Sequence, residues 1–372
     1  MKKIHRTMIY PFDRESVSLV RHCNMIDNVK FVKLISLNGW GFTGKDASCV
    51  DNGPIIGITV ENNYTDSLKS CDTVLFCKPS VEIDVRRYIY PKIIEAAESV
   101  KNIICTLELE KDIKEKVEEI CKKNNTIFKY YADKYNDIEK PESKRIFNIS
   151  TPIICVTGTC EHTNKFEVQL NLKEKIQNMG YRVAHIASRR GCELLNSHSF
   201  PDFMYSNQIS EEAKIILFNY YVKYIENTEN PDVIIVGVPG GIIPYNNNFT
   251  EGFGIIAYEI SQAIKADVVI FSTLCENLES GFLEAVTNTY KYKFGENIDC
   301  INIANSAVNI ENSELSGKLQ FNSIDWTYVD KKKIQCKCND VDIYNCFNED
   351  DMNAMVKLVI DKLVTYGENE SI

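Results

Sequence analysis

Short apolar runs alternate with segments of helical period along almost the whole chain, and this alternation limits the possible folds more than any other feature. Strand–helix alternation is typical of mainly parallel sheets covered by helices. In the first half the predicted strands are residues 7–12, 31–37, 54–60, 72–79 and 102–109. The predicted helices there are one that begins after Asp13, with Val17, Val20 and Met25 on one side, and two at about 82–98 and 111–123. In the second half the predicted strands are 151–158, 181–187, 231–238, 266–273 and 300–305, with helices at 165–179, 210–226, 254–265 and 350–365.

The chain has 372 residues, which is longer than one hydrophobic core usually supports. Residues 132–150 are polar, contain one proline and lack an apolar period, so they are predicted to connect two domains, with a boundary near residue 148. The prediction is an α/β protein with two Rossmann-like, three-layer α/β/α domains, at 1–148 and 149–372. The second is predicted to be P-loop NTPase-like.

Composition excludes several classes of protein. No apolar run approaches the roughly 18 residues of a membrane span, and no signal-peptide pattern follows Met1, so we expect a cytoplasmic protein without a membrane partner. A net charge of −10 without a basic block argues against nucleic acid as a partner. Most of the fourteen cysteines lie singly in apolar segments, which is typical of buried thiols rather than disulfides.

The strongest motif is the loop between the predicted strand 151–158 and the predicted helix 165–179. Its residues are Gly158, Thr159, Cys160, Glu161, His162, Thr163, Asn164 and Lys165. A glycine-containing loop that leads from a strand to a lysine and a helix is the arrangement that cradles phosphate, because backbone N–H groups and the helix N-terminus point at the anion. Asn164 is suited to a left-handed conformation. The alternative is that these residues only turn a strand into a helix.

This loop resembles that of dethiobiotin synthetase and related amidoligases, G-T-x-x-x-x-G-K-[ST]. The sequence GTCEHTNKF aligns with it without gaps, with Asn164 in place of glycine and Phe166 in place of the Mg²⁺-binding threonine. The segment 236–244, VGVPGGIIP, resembles the E-G-x-G-G-x-x-x-P loop of the same enzymes and contributes Gly240 and Gly241. There Val236 stands in place of the acidic residue and Pro239 in place of a glycine.

The resemblance implies ATP or another nucleotide as the ligand, with Lys165 as the catalytic residue that stabilises a transferring phosphoryl group. It implies Mg²⁺ as well, but Phe166 and Val236 replace both expected ligands, so the metal ligands stay unknown. Glu167 and Glu251 are the nearest carboxylates that would substitute for them.

Across nearly its whole length the chain also resembles the clostridial peptide-maturation-system proteins, which are encoded beside Cys-rich ribosomal peptides and a radical SAM maturase. The segments that carry this resemblance are GWGFTGKD, TNKFEVQL, GYRVAHIASR, SFPDF and PDVIIVGVPGGIIP. It implies a bacteriocin-like peptide-maturation setting, with a precursor peptide and maturation enzymes such as that maturase as partners.

Three weaker patterns have competing interpretations. Residues 39–44, GWGFTG, match G-x-G-x-x-G but lack a following helix, so a tight loop is predicted, with Trp40 and Lys45 available to a ligand. Arg189 and Arg190 follow a strand and would bind an anion or form a solvated turn. The last pattern is a set of three thiols, which suggests zinc but lacks a fourth ligand: Cys336, Cys338 and Cys346.

Two functions therefore remain open. One is nucleotide or phosphate binding that supports ATP-dependent carboxylate activation, with a ligase or phosphoryl-transfer reaction. The other is a non-catalytic scaffold with a degenerate nucleotide site, which Phe166 and Val236 favour. Replacing Phe166 by Thr together with Val236 by Glu is expected to create ATPase activity if only the metal site has decayed.

Overall fold

The chain forms two compact units, each built on a parallel sheet. The computed structural model describes residues 4–132, 144–276, 279–336, 338 and 341–369. The first unit comprises Met1–Lys134 and Arg190–Asn196, and the second comprises Tyr135–Arg189 and Ser197–Ile372. The chain therefore leaves the second unit for seven residues and then returns to it.

The first unit has six parallel strands in the order β3-β2-β1-β4-β5-β6, which is the strand order of the Rossmann fold. An apolar cluster between the sheet and helices includes Val74, Ile93 and Val117. The elements in chain order are β1 (His5–Tyr10), α1 (Val17–Arg21), β2 (Val29–Ile35), β3 (Val60–Glu61), α2 (Tyr64–Ser67), β4 (Thr73–Phe76), α3 (Val85–Tyr88), α4 (Tyr90–Glu98), β5 (Asn102–Cys105), α5 (Lys111–Lys123) and β6 (Phe128–Tyr130).

The predicted strand at 54–60 is wrong for most of its length, since only Val60–Glu61 pairs in the sheet. The Asp46 carboxylate accepts the backbone N–H groups of Ile56 and Gly57, at 3.0 and 2.7 Å. These donors are therefore engaged by a side chain instead of a neighbouring strand. Gly57 also has a φ of +83°, which an extended strand does not adopt.

The predicted helix at 82–98 is divided into α3 and α4. Pro91 occupies the first turn of α4, where its missing N–H group leaves no unmet hydrogen bond. The apolar pattern runs through both helices, so Pro91 is the only sequence signal of a break between them.

The second unit has six parallel strands in the order β14-β11-β10-β7-β9-β8, and a separate antiparallel pair, β12 and β13. Its elements are β7 (Ile153–Gly158), α6 (Lys165–Asn178), β8 (Val183–Ile186), α7 (Glu211–Glu229), β9 (Val233–Gly237), α8 (Ile255–Ala263), β10 (Val268–Leu274), α9 (Ser280–Phe294), β11 (Cys300–Ala304), β12 (Ser306–Val308), α10 (Ile310–Ser316), β13 (Phe321–Ser323), α11 (Trp326–Lys333), β14 (Asp342–Tyr344) and α12 (Glu349–Asn369).

Helices cover both faces of this second sheet. One apolar cluster joins alternate residues of the strands, such as Cys155 and Val236, to α7, α8 and α9. The other cluster joins the remaining strand residues, such as Ile154 and Val156, to α6 and α12. The predicted α/β class with two mainly parallel sheets is confirmed.

The predicted connection at 132–150 lies partly outside the described residues, which stop at 132 and resume at 144. From Phe147 onward the chain is fixed to α7, because Asn219 exchanges hydrogen bonds with the Phe147 backbone and Glu226 accepts the N–H groups of Ser150 and Thr151. The two compact units divide between Lys134 and Tyr135, whereas the predicted boundary was near residue 148. Within the described ranges, no helix has the length and apolarity to cross a bilayer.

We expect Glu296 to make the stability of the second unit depend on pH. Burial raises the pKa of this carboxyl to about 7, although the Ala266 N–H, 2.7 Å from Oε1, acts in the opposite direction. A raised pKa in the folded state means that stability is lost as pH rises from about 4.5 through 7. We expect Glu296→Gln to match the wild type at pH 5 and to be more stable at pH 9, by on the order of 2 kcal/mol. Urea unfolding at both pH values measures the difference. If the variant is less stable than the wild type by the same amount at pH 5 and pH 9, the replacement has broken a hydrogen bond instead.

Candidate phosphate-binding site

The loop at 158–165 follows the strand where the winding of the second sheet reverses. β9 and β8 lie on one side of β7, and β10, β11 and β14 lie on the other. In open α/β sheets, ligands bind outside the carboxyl ends of the strands at such a reversal. The sequence motif therefore lies where this fold has its general binding position.

Gly158 is required by close packing rather than by backbone conformation. A Cβ atom there would lie closer than 3 Å to the Ser272 carbonyl oxygen of β10 and to Thr163 Oγ1. Thr159 continues the contact, since its N–H donates to the same Ser272 oxygen at 3.0 Å. The start of the loop is thus held against β10.

Asn164 adopts the left-handed conformation that its position in the motif predicts. Its φ is +58° and ψ is +18°, and it immediately precedes the first residue of the fourteen-residue helix α6. Asparagine is among the few non-glycine residues that reach this region at low cost. Asn164 therefore supplies a left-handed backbone turn at the position where the motif that this loop resembles has glycine.

Buried polar side chains from β11 and the residue after it support the loop. Asn164 Nδ2 donates to Asn305 Oδ1 at 2.8 Å, and Asn305 donates in turn to the Ile324 carbonyl. Asn302 lies within reach of the Thr163 carbonyl at 3.5 Å and donates to Ser272 Oγ at 3.3 Å. These contacts fix the loop conformation from the side of β10 and β11.

Lys165, the first residue of α6, is only 4% exposed and does not point into open solvent. Its Nζ donates to the carbonyl of Gly240, in the loop after β9. The N–H of Gly240 donates to Glu161 Oε1 at 2.6 Å. The two peptide units that flank Gly240 thus join the lysine and the glutamate of the loop at 158–165, and the Gly240 carbonyl occupies one of the three ammonium donors of Lys165.

Gly241 packs directly on the first loop. A Cβ atom there would lie closer than 3 Å to the Thr159 carbonyl oxygen, and 3.1 Å from Glu251 Cβ. Gly240 differs from it, with a φ of +70° and no atom within 4 Å of the position that a Cβ would take. The two glycines named from the sequence therefore serve different purposes, and both lie at the site.

Glu251 begins four consecutive residues with positive φ, of which the others are Gly252, Phe253 and Gly254. Such a run is uncommon for residues with side chains and is usually held by its surroundings. Lys293 Nζ holds this one, donating to the carbonyls of Ile242 and Phe253 at 2.8 and 2.9 Å. The Glu251 carboxylate accepts the backbone N–H of Glu161 and so occupies a donor of the phosphate-type loop.

The charges around the loop are closely coupled. Burial raises the pKa of Glu251, the nearby Glu161 carboxylate raises it further, and Lys165 opposes both. Glu161 is exposed as a residue, although protein atoms surround its carboxylate. Desolvation raises its pKa, but Lys165, the Gly240 N–H, His162 and Arg189 together hold it below the usual value. The site therefore places cations and carboxylates together around one loop.

Comparison with known proteins identifies a fold relative. A crystal structure of a DUF1611 family protein from Anabaena variabilis is similar with a TM-score of 0.53 at 10% identity, covering 81% of this chain and 88% of that one. This likeness concerns the fold alone. No protein-family model matches the chain, and no curated protein matches it.

Two further solved structures match more weakly. Amine dehydrogenase from Mycobacterium smegmatis has a TM-score of 0.26 at 13% identity, covering 50% of this chain and 47% of that one. The signal recognition particle receptor FtsY from Elizabethkingia anophelis has a TM-score of 0.28 at 12% identity, covering 64% and 75%. Scores this low carry no argument about this protein.

The residues that replace the expected Mg²⁺ ligands do not fit a magnesium ion. Phe166 is 5% exposed and offers no oxygen, and Val236 is fully buried in the apolar cluster on the face opposite α6. Mg²⁺ requires oxygen ligands in near-octahedral geometry. Of the two substitutes named from the sequence, Glu251 lies at the loop, whereas Glu167 is buried on α6 beside Asn171.

The cysteine group does not form a metal site. Cys338 belongs to the apolar cluster on one face of the second sheet and Cys346 to the cluster on the other face. In the part of the chain that the structure describes, no group of three His, Cys, Asp or Glu residues is placed to hold a metal ion. None of the fourteen cysteines forms a disulfide.

His162 and the two arginines take separate positions. His162 has a φ of +56°, and its ring packs 4.8 Å from the Phe321 ring of β13. Arg189 stacks on Phe166, with 4.0 Å between its Cζ atom and the ring centroid. Arg190 belongs to the first unit and pairs there with Glu108 at 2.6 Å.

In the first unit, residues 39–44 form a turn with three left-handed glycines. A short 3₁₀ helix, Ala47–Val50, follows, so the α-helix that a dinucleotide site needs is replaced by one turn. Trp40 is half-buried and Lys45 is exposed.

A buried polar chain lies behind the loop, on α6 and β8. Lys173 Nζ donates to Ser197 Oγ, and His185 joins Ser197 to Gln169, with contacts of 2.9, 2.9 and 3.1 Å. Burial, with Lys173 and His198 nearby, holds the His185 pKa well below its usual value, so the ring is neutral. Gln169 also lies where a side chain on Gly237 would be, so this chain fixes the end of β9 against α6.

The sequence pattern does not distinguish several residues of the site. Glu161 is one of eight loop positions, and Asn302 and Asn305 lie within the predicted apolar strand 300–305. A polar amide inside a run such as CINIAN is the signal that would have found them, because a buried amide needs partners. Lys293, on a helix that was not predicted, gave no signal.

Proposed function

We propose that the loop at 158–165 binds the phosphate groups of a nucleotide or of another phosphorylated ligand. The observation that carries this proposal is Asn164 in the left-handed conformation directly before Lys165, at the N-terminus of a long helix and at the reversal point of a parallel sheet. Helix N-termini and loop N–H groups attract anions, and a lysine adds a full positive charge.

We expect binding to rearrange the loop locally. The Gly240 carbonyl accepts from Lys165, and the Glu251 carboxylate accepts from the Glu161 N–H. A phosphate offers Lys165 a stronger acceptor than a neutral carbonyl does. The ligand is therefore expected to displace the Gly240 carbonyl from Lys165.

If the protein is an enzyme, Lys165 is the residue proposed to stabilise a transferring phosphoryl group, in ATP-dependent activation of a carboxylate. The setting proposed, on sequence resemblance alone, is maturation of a Cys-rich ribosomal peptide, with the precursor peptide and a radical SAM maturase as partners. The second candidate is a scaffold without catalysis. The burial of Phe166 and Val236 favours it, because neither position can hold the metal that phosphoryl transfer uses.

Replacement of Lys165 tests the proposal. We expect Lys165→Ala to weaken binding of ATP, GTP or ADP by about 100-fold, since a charge-assisted contact at a buried position is lost. Calorimetric titration of each nucleotide, with and without Mg²⁺, measures this. Lys175→Ala is the matched control, because it removes the same charge from the same helix, where Lys175 pairs with Glu349.

Two results would contradict the proposal. The first is nucleotide binding that Lys165→Ala leaves unchanged, and the second is no binding by the wild type. Phosphate release from ATP in the presence of peptide separates the two candidates, since the scaffold predicts binding without turnover.

A further inference from the structure

Arg189 contacts Phe166, the residue that follows the loop lysine. The motif that this loop resembles has a Mg²⁺-binding threonine at that position. The Arg189 Cζ atom lies 4.0 Å from the centroid of that ring. At this distance the guanidinium is stacked on the ring face, which stabilises it by a cation–π interaction.

The backbone also positions Arg189. It follows β8 by three residues, and its carbonyl accepts the Phe200 N–H at 3.1 Å. The residue as a whole is half-buried. Phe166, in contrast, is almost fully buried and provides a fixed platform in the first turn of α6.

Arg189 and Lys165 act on the same region of the loop. Both hold the pKa of Glu161 below its usual value, so both cations lie near that carboxylate. A guanidinium presents several donors in a plane and pairs with two phosphate oxygens at once. Two such cations supply the positive charge that a pyrophosphate group otherwise takes from a divalent metal.

We propose that Arg189, stacked on Phe166, replaces the divalent metal as the second cation of this site, which therefore binds a pyrophosphate-containing ligand without Mg²⁺. The inference rests on the proposed function of the loop. It explains why an aromatic residue stands at position 166: the ring orients the arginine.

Titration of the full-length protein with inorganic pyrophosphate and with ATP tests this inference, each in EDTA and in Mg²⁺. We expect wild-type binding in EDTA that Mg²⁺ does not strengthen. Arg189→Gln should weaken binding in EDTA by about tenfold or more. Phe166→Leu should weaken it in the same direction, because it keeps the apolar bulk and removes the ring face.

Arg182→Gln is the matched control. Arg182 lies just before β8, at the opposite end of the strand, and pairs with Asp232 on the surface. The Arg182→Gln variant should bind pyrophosphate and ATP like the wild type. Thermal melting of each variant confirms that the fold is retained, and Arg189→Lys, which keeps the charge but stacks less well, should bind with intermediate strength.

The possible results separate the inference from the function on which it rests. Binding that requires Mg²⁺, or that is lost in Lys165→Ala but unchanged in Arg189→Gln, overturns the role of Arg189 and leaves the phosphate site intact. Failure of the wild type to bind either ligand in either condition overturns both.

Discussion

Gly241→Ala is expected to abolish ligand binding at the loop and to lower the free energy of unfolding by about 3 kcal/mol. The added methyl group would lie closer than 3 Å to the Thr159 carbonyl oxygen, which belongs to the backbone of the phosphate-type loop. Hydrogen bonds hold both backbone segments, because the Thr159 N–H donates to Ser272 and the Ile242 N–H donates to Gly158. The two loops must therefore separate.

Its neighbour provides the control. Gly240→Ala adds the same methyl group where no atom lies within 4 Å, so its cost is only the strain of a φ of +70°, roughly 1 to 2 kcal/mol. Urea unfolding and nucleotide titration of both variants measure the difference. Equal effects, or a larger effect at Gly240, would show that the contact between the loops is not what holds the site.

Val236→Glu is expected to destabilise the protein by about 4 kcal/mol near neutral pH instead of restoring a metal site. Val236 is fully buried among apolar residues such as Phe218 and Ile242, on the sheet face opposite α6. A carboxylate there has no partner, so it should lose ionisation, and the destabilisation should decrease as pH falls. The double replacement with Phe166→Thr is therefore expected to unfold before it gains ATPase activity.

Val236→Thr controls for the loss of apolar character at nearly constant shape. It should cost much less than Val236→Glu, with little dependence on pH between 5 and 8. Chemical unfolding across that range measures both variants. A Val236→Glu protein as stable as the wild type would mean that the new side chain reaches the loop at 158–165. Binding of Mg²⁺ by a carboxylate at this position would then be supported.

The sequence was sufficient for the fold class because the determining signal is repetitive. Apolar runs such as 153–158 and 233–237 are buried on both sides, as parallel strands between helix layers must be. The helices α5 and α6 begin where their patterns indicate. Errors arose where one side chain competes with the sheet, as Asp46 does for residues 54–60.

The later part of the chain was less predictable. The helix α9 and the pair β12 and β13 were not predicted, because their short or mixed patterns depend on packing against β10 and β11 for stability. Yet this region supplies Asn305, Phe321 and Lys293 to the site. Contacts between residues 40 or more positions apart leave no local signal.

Within the site, the sequence predicted the position of the loop but not the hydrogen bonds of its side chains. Glycine and asparagine positions were informative because backbone conformation restricts residue type at Asn164. The hydrogen bonds of Lys165 and Glu161 to Gly240 depend on a second loop that is 75 or more residues away. The pairing of Arg189 with Phe166 likewise required the register of β8 beside α6.

Arg189 is the last residue of the second unit before the chain enters the first unit at Arg190. A fragment ending at residue 134 would therefore lack Arg190–Asn196, seven residues of its own unit. The first unit is complete only when the chain of the second unit is present, so variants of either unit should be made in the full chain.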